Sequence, residues 1–375
     1  MRVLHVISGG DTGGGKTHVL TLVSELQKRV PARIMCFMEG PFSREARDMG
    51  LDIEVAVQHG RQDLSVIRSL VRLVREESTD IVHSHGARAN FLTVLAKPRL
   101  KVPFVTTVHS DYRRDFTDSL YKRLVYTSLN SVALRFFDHY IVVSEPLRKI
   151  LNQRGIADDR IHSVRNYLAR SVEHQGKERF LEQHGLERLS GDPLIGALGR
   201  LHQVKGQAVL VRAASMVRER FPKVRFLLGG DGPALDDLQS LVTSLGLKDH
   251  VFFLGYITNP YDFLNALDIH VLPSLSETFP YVILEAAALG VPTVSTDVGS
   301  IAELVTPGDT GLLVPPGDPA ALAAAVLELL GDPGQARQLG DRLRQAAEPY
   351  FSPPAMAQRH LEIYEQILEG KTRRR

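Results

Sequence analysis

The chain has 375 residues, 43% of them hydrophobic, and its 45 Lys and Arg against 43 Asp and Glu leave a net charge of +2. That length exceeds one ordinary domain and suits two of about 150 to 200 residues, each with a packed core. A single cysteine, Cys36, excludes an internal disulfide and points to a reducing compartment, and no apolar run approaches the ~20 residues needed to cross a bilayer.

Charge is unevenly spread. Residues 1–170 hold 26 Lys and Arg against 18 Asp and Glu, whereas the remainder holds 19 against 25. A basic first half suits an anionic partner, such as a phosphorylated acceptor or a membrane surface. Nucleic acid is not expected, because no recognised binding motif accompanies the excess. The opening MRVLHVISGG has too short an apolar run for a secretion signal and no cleavage site after it, so a cytoplasmic location is expected, with the inner face of a membrane as an option.

In chain order, Val3 to Ser8 reads as a strand, Gly9 to Gly15 as a glycine-rich loop, and Thr17 to Val30 as a helix with Val19, Leu20, Val23 and Leu26 at helical spacing. Within this loop Gly10, Gly15, Lys16 and Thr17 match G-x-x-x-x-G-K-[ST] in the strand-to-helix setting of a phosphate-binding loop. A nucleoside-triphosphatase using Gly10 to Thr17 is therefore a rival reading. It lacks a partner strand ending in a convincing magnesium-binding Asp.

Strands follow at Arg33 to Met38, Asp52 to Val57 and Asp80 to Ser84, with an amphipathic helix over Leu64 to Glu77. His85, Gly86 and Arg88 occupy the loop after the third of these. His83 and His85 are placed on opposite sides of the strand, and with no carboxylate or cysteine at ligand spacing no metal site is expected. Phe104 to Val108 is a β-branched strand that delivers His109 into a loop, where an imidazole can hydrogen-bond a sugar hydroxyl or a reacting oxygen, or simply tie the loop down. Tyr112 to Phe137 mixes basic and aromatic residues, a pattern of either a membrane-surface helix or a half-buried one. Strands are predicted at Tyr140 to Val143 and Arg160 to Val164, and Ser171 to Asp192 reads as a charged linker.

Two stretches of the second half carry the chemistry. Leu194 to Leu198 is a strand followed by Gly199, Arg200, Lys205 and Gly206, and an Arg and a Lys five residues apart can hold two phosphates from one side. Ile269 to Leu272 is another strand, broken at Pro273. A polar turn with Glu277 then leads into a helix over Val282 to Leu289, ended by Gly290, and a strand over Val291 to Ser295. A helix N-terminus there suits a phosphate, and Glu285 suits a pair of vicinal hydroxyls. The plainer alternative makes Glu277 a helix-start carboxylate and Glu285 a solvated helix residue.

These residues resemble the family 4 retaining glycosyltransferases of the GT-B fold. The resemblance rests on Gly199, Arg200, Lys205 and Gly206, on Glu277 and Glu285, on the turn Gly230 to Pro233, and on the strand end Phe252 to Gly255. It implies an α/β chain of two Rossmann-like, doubly wound parallel-sheet domains facing a central cleft. Residues 1–170 form the acceptor-side domain, 171–350 the donor domain with the linker at its start, and 351–375 a last helix, over Met356 to Leu368, returning to the first domain with a basic tail.

The implied reaction is metal-independent, retaining transfer of a hexose-class sugar from a nucleoside diphosphate sugar. The UDP form is the expected co-substrate, with GDP and ADP forms as alternatives and no other cofactor. Arg200 and Lys205 would neutralise the departing diphosphate, Glu285 would hold the ribose, and Glu277 the donor sugar. Gly255 and Tyr256 would meet the base. Gly14, Gly199, Thr278, Phe279, Pro280, Tyr281 and Val282 complete the donor set, with Tyr281 and Val282 supplying the backbone donors. His109 stands at the catalytic centre, and Gly13, Gly14, Lys16, His85, Arg88 and His109 face the acceptor, which is anionic or lipid-linked in this reading. A departure from the family pattern is Pro280, where a glycine is usual and where no N–H is available to a phosphate. A non-catalytic nucleotide-sugar binder is the third reading.

Overall fold

The computed structural model describes residues 1–10, 14–60, 63–110, 130–164, 167–168 and 173–373. The chain divides into two compact units, one of Met1–Tyr167 with Ser352–Arg375, the other of Leu168–Phe351. Each is a parallel sheet whose strands are short apolar runs closed by Gly, Pro or Asp, the pattern of strands buried on both faces.

In the first unit the strands are β1 (Val3–Ile7), β2 (Ala32–Cys36), β3 (Ile53–Val55), β4 (Ile81–His85), β5 (Phe104–Val108), β6 (His139–Val142) and β7 (Ile161–Ser163). They lie in the order β3-β2-β1-β4-β5-β6-β7, every pair parallel. The direction of winding reverses between β1 and β4. The helix Gly14–Gln27 covers one face with His18, Val19, Leu22 and Leu26, and shares that core with Met356, Ile363 and Tyr364 of the helix Pro353–Arg373. Each fully buried Leu, Ile or Val here contributes about 1.5–3 kcal/mol.

In the second unit the strands are β8 (Leu194–Leu198), β9 (Arg225–Gly229), β10 (Val251–Phe253), β11 (Ile269–Leu272), β12 (Thr293–Thr296) and β13 (Leu312–Val314), in the order β10-β9-β8-β11-β12-β13, again all parallel. Winding reverses between β8 and β11. At such a reversal the loops leaving the two strands diverge to opposite faces and open a crevice at the carboxyl edge.

Several expectations change in detail. The segment expected as a linker holds the helix Lys177–Gln183, and its Phe180 and Leu181, with Leu186 and Leu189, are buried against Phe263 and Leu267. Its charged residues surround apolar ones that find a tertiary partner. Pro353 and Pro354 start the last helix, their missing N–H groups falling where a helix has none to pair. Of the basic and aromatic segment Tyr112 to Phe137, residues 112–129 lie outside the described residues, as does Gly13.

Candidate active site

After β8 the chain bends at Gly199 and forms a short turn, Gln203–Lys205, whose start is fixed by the Val204 N–H donating to His202 Nδ1 at 3.2 Å. Gln207 Nε2 donates to the Arg200 carbonyl at 3.0 Å, and the Leu275 N–H donates to the Val204 carbonyl at 2.8 Å. The loops leaving β8 and β11 are thereby joined. Gly206, at φ 66°, lies so close that a Cβ there would stand 2.0 Å from the Pro273 carbonyl oxygen.

This junction places Lys205 Nζ 2.5 Å from Glu277 Oε1, and the Ser274 hydroxyl donates to the same oxygen at 2.7 Å. Thr296 Oγ1 holds the Ser274 carbonyl at 2.6 Å, and the Glu277 side chain is only 8% exposed. Arg200 is exposed at the start of the same loop. Beyond Glu277, the Ser300 N–H donates to the Thr278 carbonyl at 3.2 Å, Phe279 packs on Tyr350 with ring centroids 5.5 Å apart, and Pro280 caps the helix Tyr281–Leu289. The positive end of that helix follows Glu277 by four residues in the chain.

Glu285 lies one turn along, and burial pushes its carboxyl up to about 7. The phenols of Tyr261 and Tyr281 are raised by burial and, secondarily, by the nearness of this carboxylate. A carboxyl raised above its unfolded value of 4.5 gives its full contribution to stability below that pH and loses it as pH rises through about 7. Wild type should therefore lose about 1–3 kcal/mol relative to Glu285→Gln between pH 5 and 8, the partial exposure of Glu285 trimming the effect. Urea unfolding at both pH values checks this, and equal pH slopes for the two proteins would refute it.

Further along the same sheet edge, the Gly230 N–H donates to the Gly255 carbonyl at 2.7 Å, and Tyr256 stands 61% exposed beside it.

In the first unit, Gly15, His85, Arg88, His109, Ser110 and Asn130 help line a cavity of about 330 Å³ at the ends of β4 and β5. Gly14 opens the adjoining helix. Arg88 donates to Gln58 Oε1. Lys16 is not among the lining residues, and its ammonium pairs with Glu45 Oε2 at 2.5 Å.

A family model described as Glycosyltransferase Family 4 matches residues 12–168, and one described as Glycosyl transferases group 1 matches residues 192–332. The D-inositol 3-phosphate glycosyltransferase of Nocardia farcinica is 30% identical over 309 residues, 77% of this chain and 67% of the relative. The chain belongs to glycosyltransferase family 4. The N-acetyl-alpha-D-glucosaminyl L-malate synthase of Bacillus anthracis is 28% identical over 322 residues, 83% of this chain and 81% of the relative. The crystal structure of Anabaena HepE in complex with UDP-glucose superposes with a TM-score of 0.87 at 21% identity, covering 98% of this chain and all of that one, which shows the GT-B fold.

In this family 4 glycosyltransferase the structure brings Gly199, Arg200, Lys205, Glu277, Thr278, Phe279, Pro280, Tyr281, Val282 and Glu285 to one sheet reversal, with Gly255 and Tyr256 two strands away on the same edge. Ser274, Tyr261 and Gly299 belong with them and were not picked out from the sequence. A Cβ on Gly299 would meet the Glu277 carbonyl oxygen at 2.0 Å, a contact between segments 22 residues apart that no local pattern reveals. One sequence expectation of the transferase is overturned. His83 and His85 share a face of β4, because residues two apart in a strand point the same way, and their rings stand 4.3 Å apart. The argument against clustered histidines fails with it: His5, His83 and His85, and also His18, His85 and His109, bring ligating atoms within 4.8 Å of one another.

Proposed function

We propose that this transferase moves a sugar from a UDP-sugar to an acceptor with retention at the anomeric carbon. The observation that carries the reading is the junction of Lys205, Glu277 and the N-terminus of the Tyr281–Leu289 helix at the β8/β11 reversal, one cation and one helix end beside a buried acid. HepE, which shares the fold, was crystallised with UDP and with UDP-glucose. Arg200, Lys205 and the N–H groups of Tyr281 and Val282 neutralise the departing diphosphate, supplying electrostatically what a metal ion supplies elsewhere. Glu285 accepts from the ribose hydroxyls, Glu277 and the Thr278 to Pro280 loop hold the sugar, and the exposed Tyr256 ring meets the base.

The bond from the anomeric carbon to the diphosphate oxygen breaks as the acceptor oxygen bonds to the same face of the sugar, and the diphosphate oxygen takes the acceptor's proton. His109 and the cavity it lines meet the acceptor side, with Arg88 and Lys16 assigned to an anionic group on the acceptor. No described helix is long and apolar enough to cross a membrane. The basic excess of the first half supports an acceptor presented at an anionic surface.

A thermal-shift screen against UDP, GDP, ADP and their sugars, with and without magnesium, tests the reading. UDP at a hundred times its Kd stabilises by about 2.7 kcal/mol, visible as a shift of several degrees independent of magnesium. The absence of a shift with every diphosphate would overturn it. Lys16→Ala is expected to raise the acceptor KM about tenfold while leaving UDP affinity unchanged, the loss of one ionic contact to the acceptor. Loss of triphosphate binding in that variant would favour the triphosphatase reading instead.

A further inference from the structure

Six histidines, His5, His18, His83, His85, His109 and His360, form one continuous layer of the first unit, each ring within 4.3–6.1 Å of a neighbouring one. Strand register explains the assembly. His5 lies beside His83 in the β1/β4 pairing, His85 lies beside Thr107 in the β4/β5 pairing, and His109 continues the same alternation. The helices Gly14–Gln27 and Pro353–Arg373 lay His18 and His360 over this face.

The six differ in how their nitrogens are used. His83 is fully engaged, its Nδ1 2.6 Å from the Tyr364 hydroxyl and its Nε2 2.8 Å from Thr107 Oγ1. His360 Nδ1 donates to the Met356 carbonyl at 2.9 Å. His85 uses only Nε2, which stands 3.1 Å from His5 Nδ1. Its Nδ1 and the Nε2 of His109 are sealed from solvent with no hydrogen-bond partner among the described residues, as are the Nε2 atoms of His5 and His360, but only His85 and His109 of these four also line the cavity at the ends of β4 and β5. A buried polar atom left this way costs about 1–3 kcal/mol, so two adjacent ones call for a ligand.

We propose that His18, His85 and His109 form a three-imidazole site for a divalent transition-metal ion of the zinc class, with the remaining coordination position open to the cavity beside His85 and His109. Their ligating nitrogens lie within 4.8 Å of one another, so small side-chain rotations bring them to the roughly 3.3 Å spacing of imidazoles that share a tetrahedral ion about 2.0–2.1 Å from each. If His85 Nε2–H donates to His5 Nδ1, its Nδ1 carries a lone pair directed away from that bond, the arrangement by which an outer imidazole orients a ligating one. An all-nitrogen set selects zinc, copper, nickel or cobalt over magnesium and calcium, which take oxygen ligands. The alternative group, His5, His83 and His85, is the poorer one because both His83 nitrogens are already taken.

The test is metal uptake, which does not depend on the donor chemistry assigned above. Chelator-treated full-length protein is exposed to Zn²⁺ or Co²⁺, freed of excess metal, and analysed for metal content and for the visible spectrum of bound Co²⁺. One equivalent per chain and intense d–d bands of a four- or five-coordinate ion are expected. His109→Ala and His18→Gln should each weaken uptake at least tenfold, while His139→Gln, in the separate His139–His162 pair, should not change it. Melting curves establish that each variant is folded. Retained uptake in either folded site variant, or equal loss in His139→Gln, overturns the site. Should neither site variant fold, the wild-type Co²⁺ spectrum decides, and its absence overturns the proposal.

Discussion

Lys205→Ala is expected to lower kcat/KM by about two to three orders of magnitude, the usual cost of removing one preorganised charge from a developing anion. Arg200→Ala should have an effect of the same order on turnover, but the two variants should differ in stability. Arg200 is exposed, so its loss should leave the melting temperature unchanged. Lys205 neutralises Glu277, whose side chain is 8% exposed and among the described residues would keep the Ser274 hydroxyl. The single variant should lose about 1–3 kcal/mol for that reason, and Glu277→Gln added to Lys205→Ala should restore most of the stability but none of the transfer. Initial rates with saturating acceptor and urea unfolding of all four proteins check this. Near-normal transfer by either single variant would remove the assigned phosphate clamp.

Gly206→Ala should abolish UDP affinity and destabilise the second unit together. Its φ of 66° costs an L-residue about 1–2 kcal/mol, and the new Cβ would stand 2.0 Å from the Pro273 carbonyl, a backbone atom that cannot rotate away. Relief requires the loops after β8 and β11 to separate, which breaks the Leu275 to Val204 hydrogen bond and withdraws Lys205 from Glu277. Overpacking of this kind adds about 1–3 kcal/mol. A comparison with Gly185→Ala sharpens the test, since Gly185 also has a positive φ of 66° but no neighbour within 4 Å of its missing Cβ. Equal losses in both variants would mean that backbone strain alone, and not closeness of the two loops, accounts for the effect.

Much of the architecture was legible because its determinants are local. The β8 and β11 runs, the Gly290 stop and the fourteen-residue helix Gln207–Arg220 follow from short-range periodicity and from residues that end it. Glu277 and Glu285 also fall within one strand, loop and helix unit. The former linker was misjudged because its apolar residues are few and their partner, Phe263, lies some eighty residues on.

The amino-acid order alone determined the strand and helix alternation, the parallel-sheet class, and which polar side chains stand at strand ends, since each depends on neighbours within a turn or a pleat. Sheet order decided the rest. β8 lies beside β11 rather than β10, and only this brings Lys205 to Glu277 across 72 residues. β1 lies beside β4 under two helices from opposite ends of the chain, and only this gathers six histidines and leaves nitrogens of His5, His85, His109 and His360 without a hydrogen-bond partner among the described residues. Such contacts are set by the free energy of burying whole faces against one another, which no window of local sequence contains.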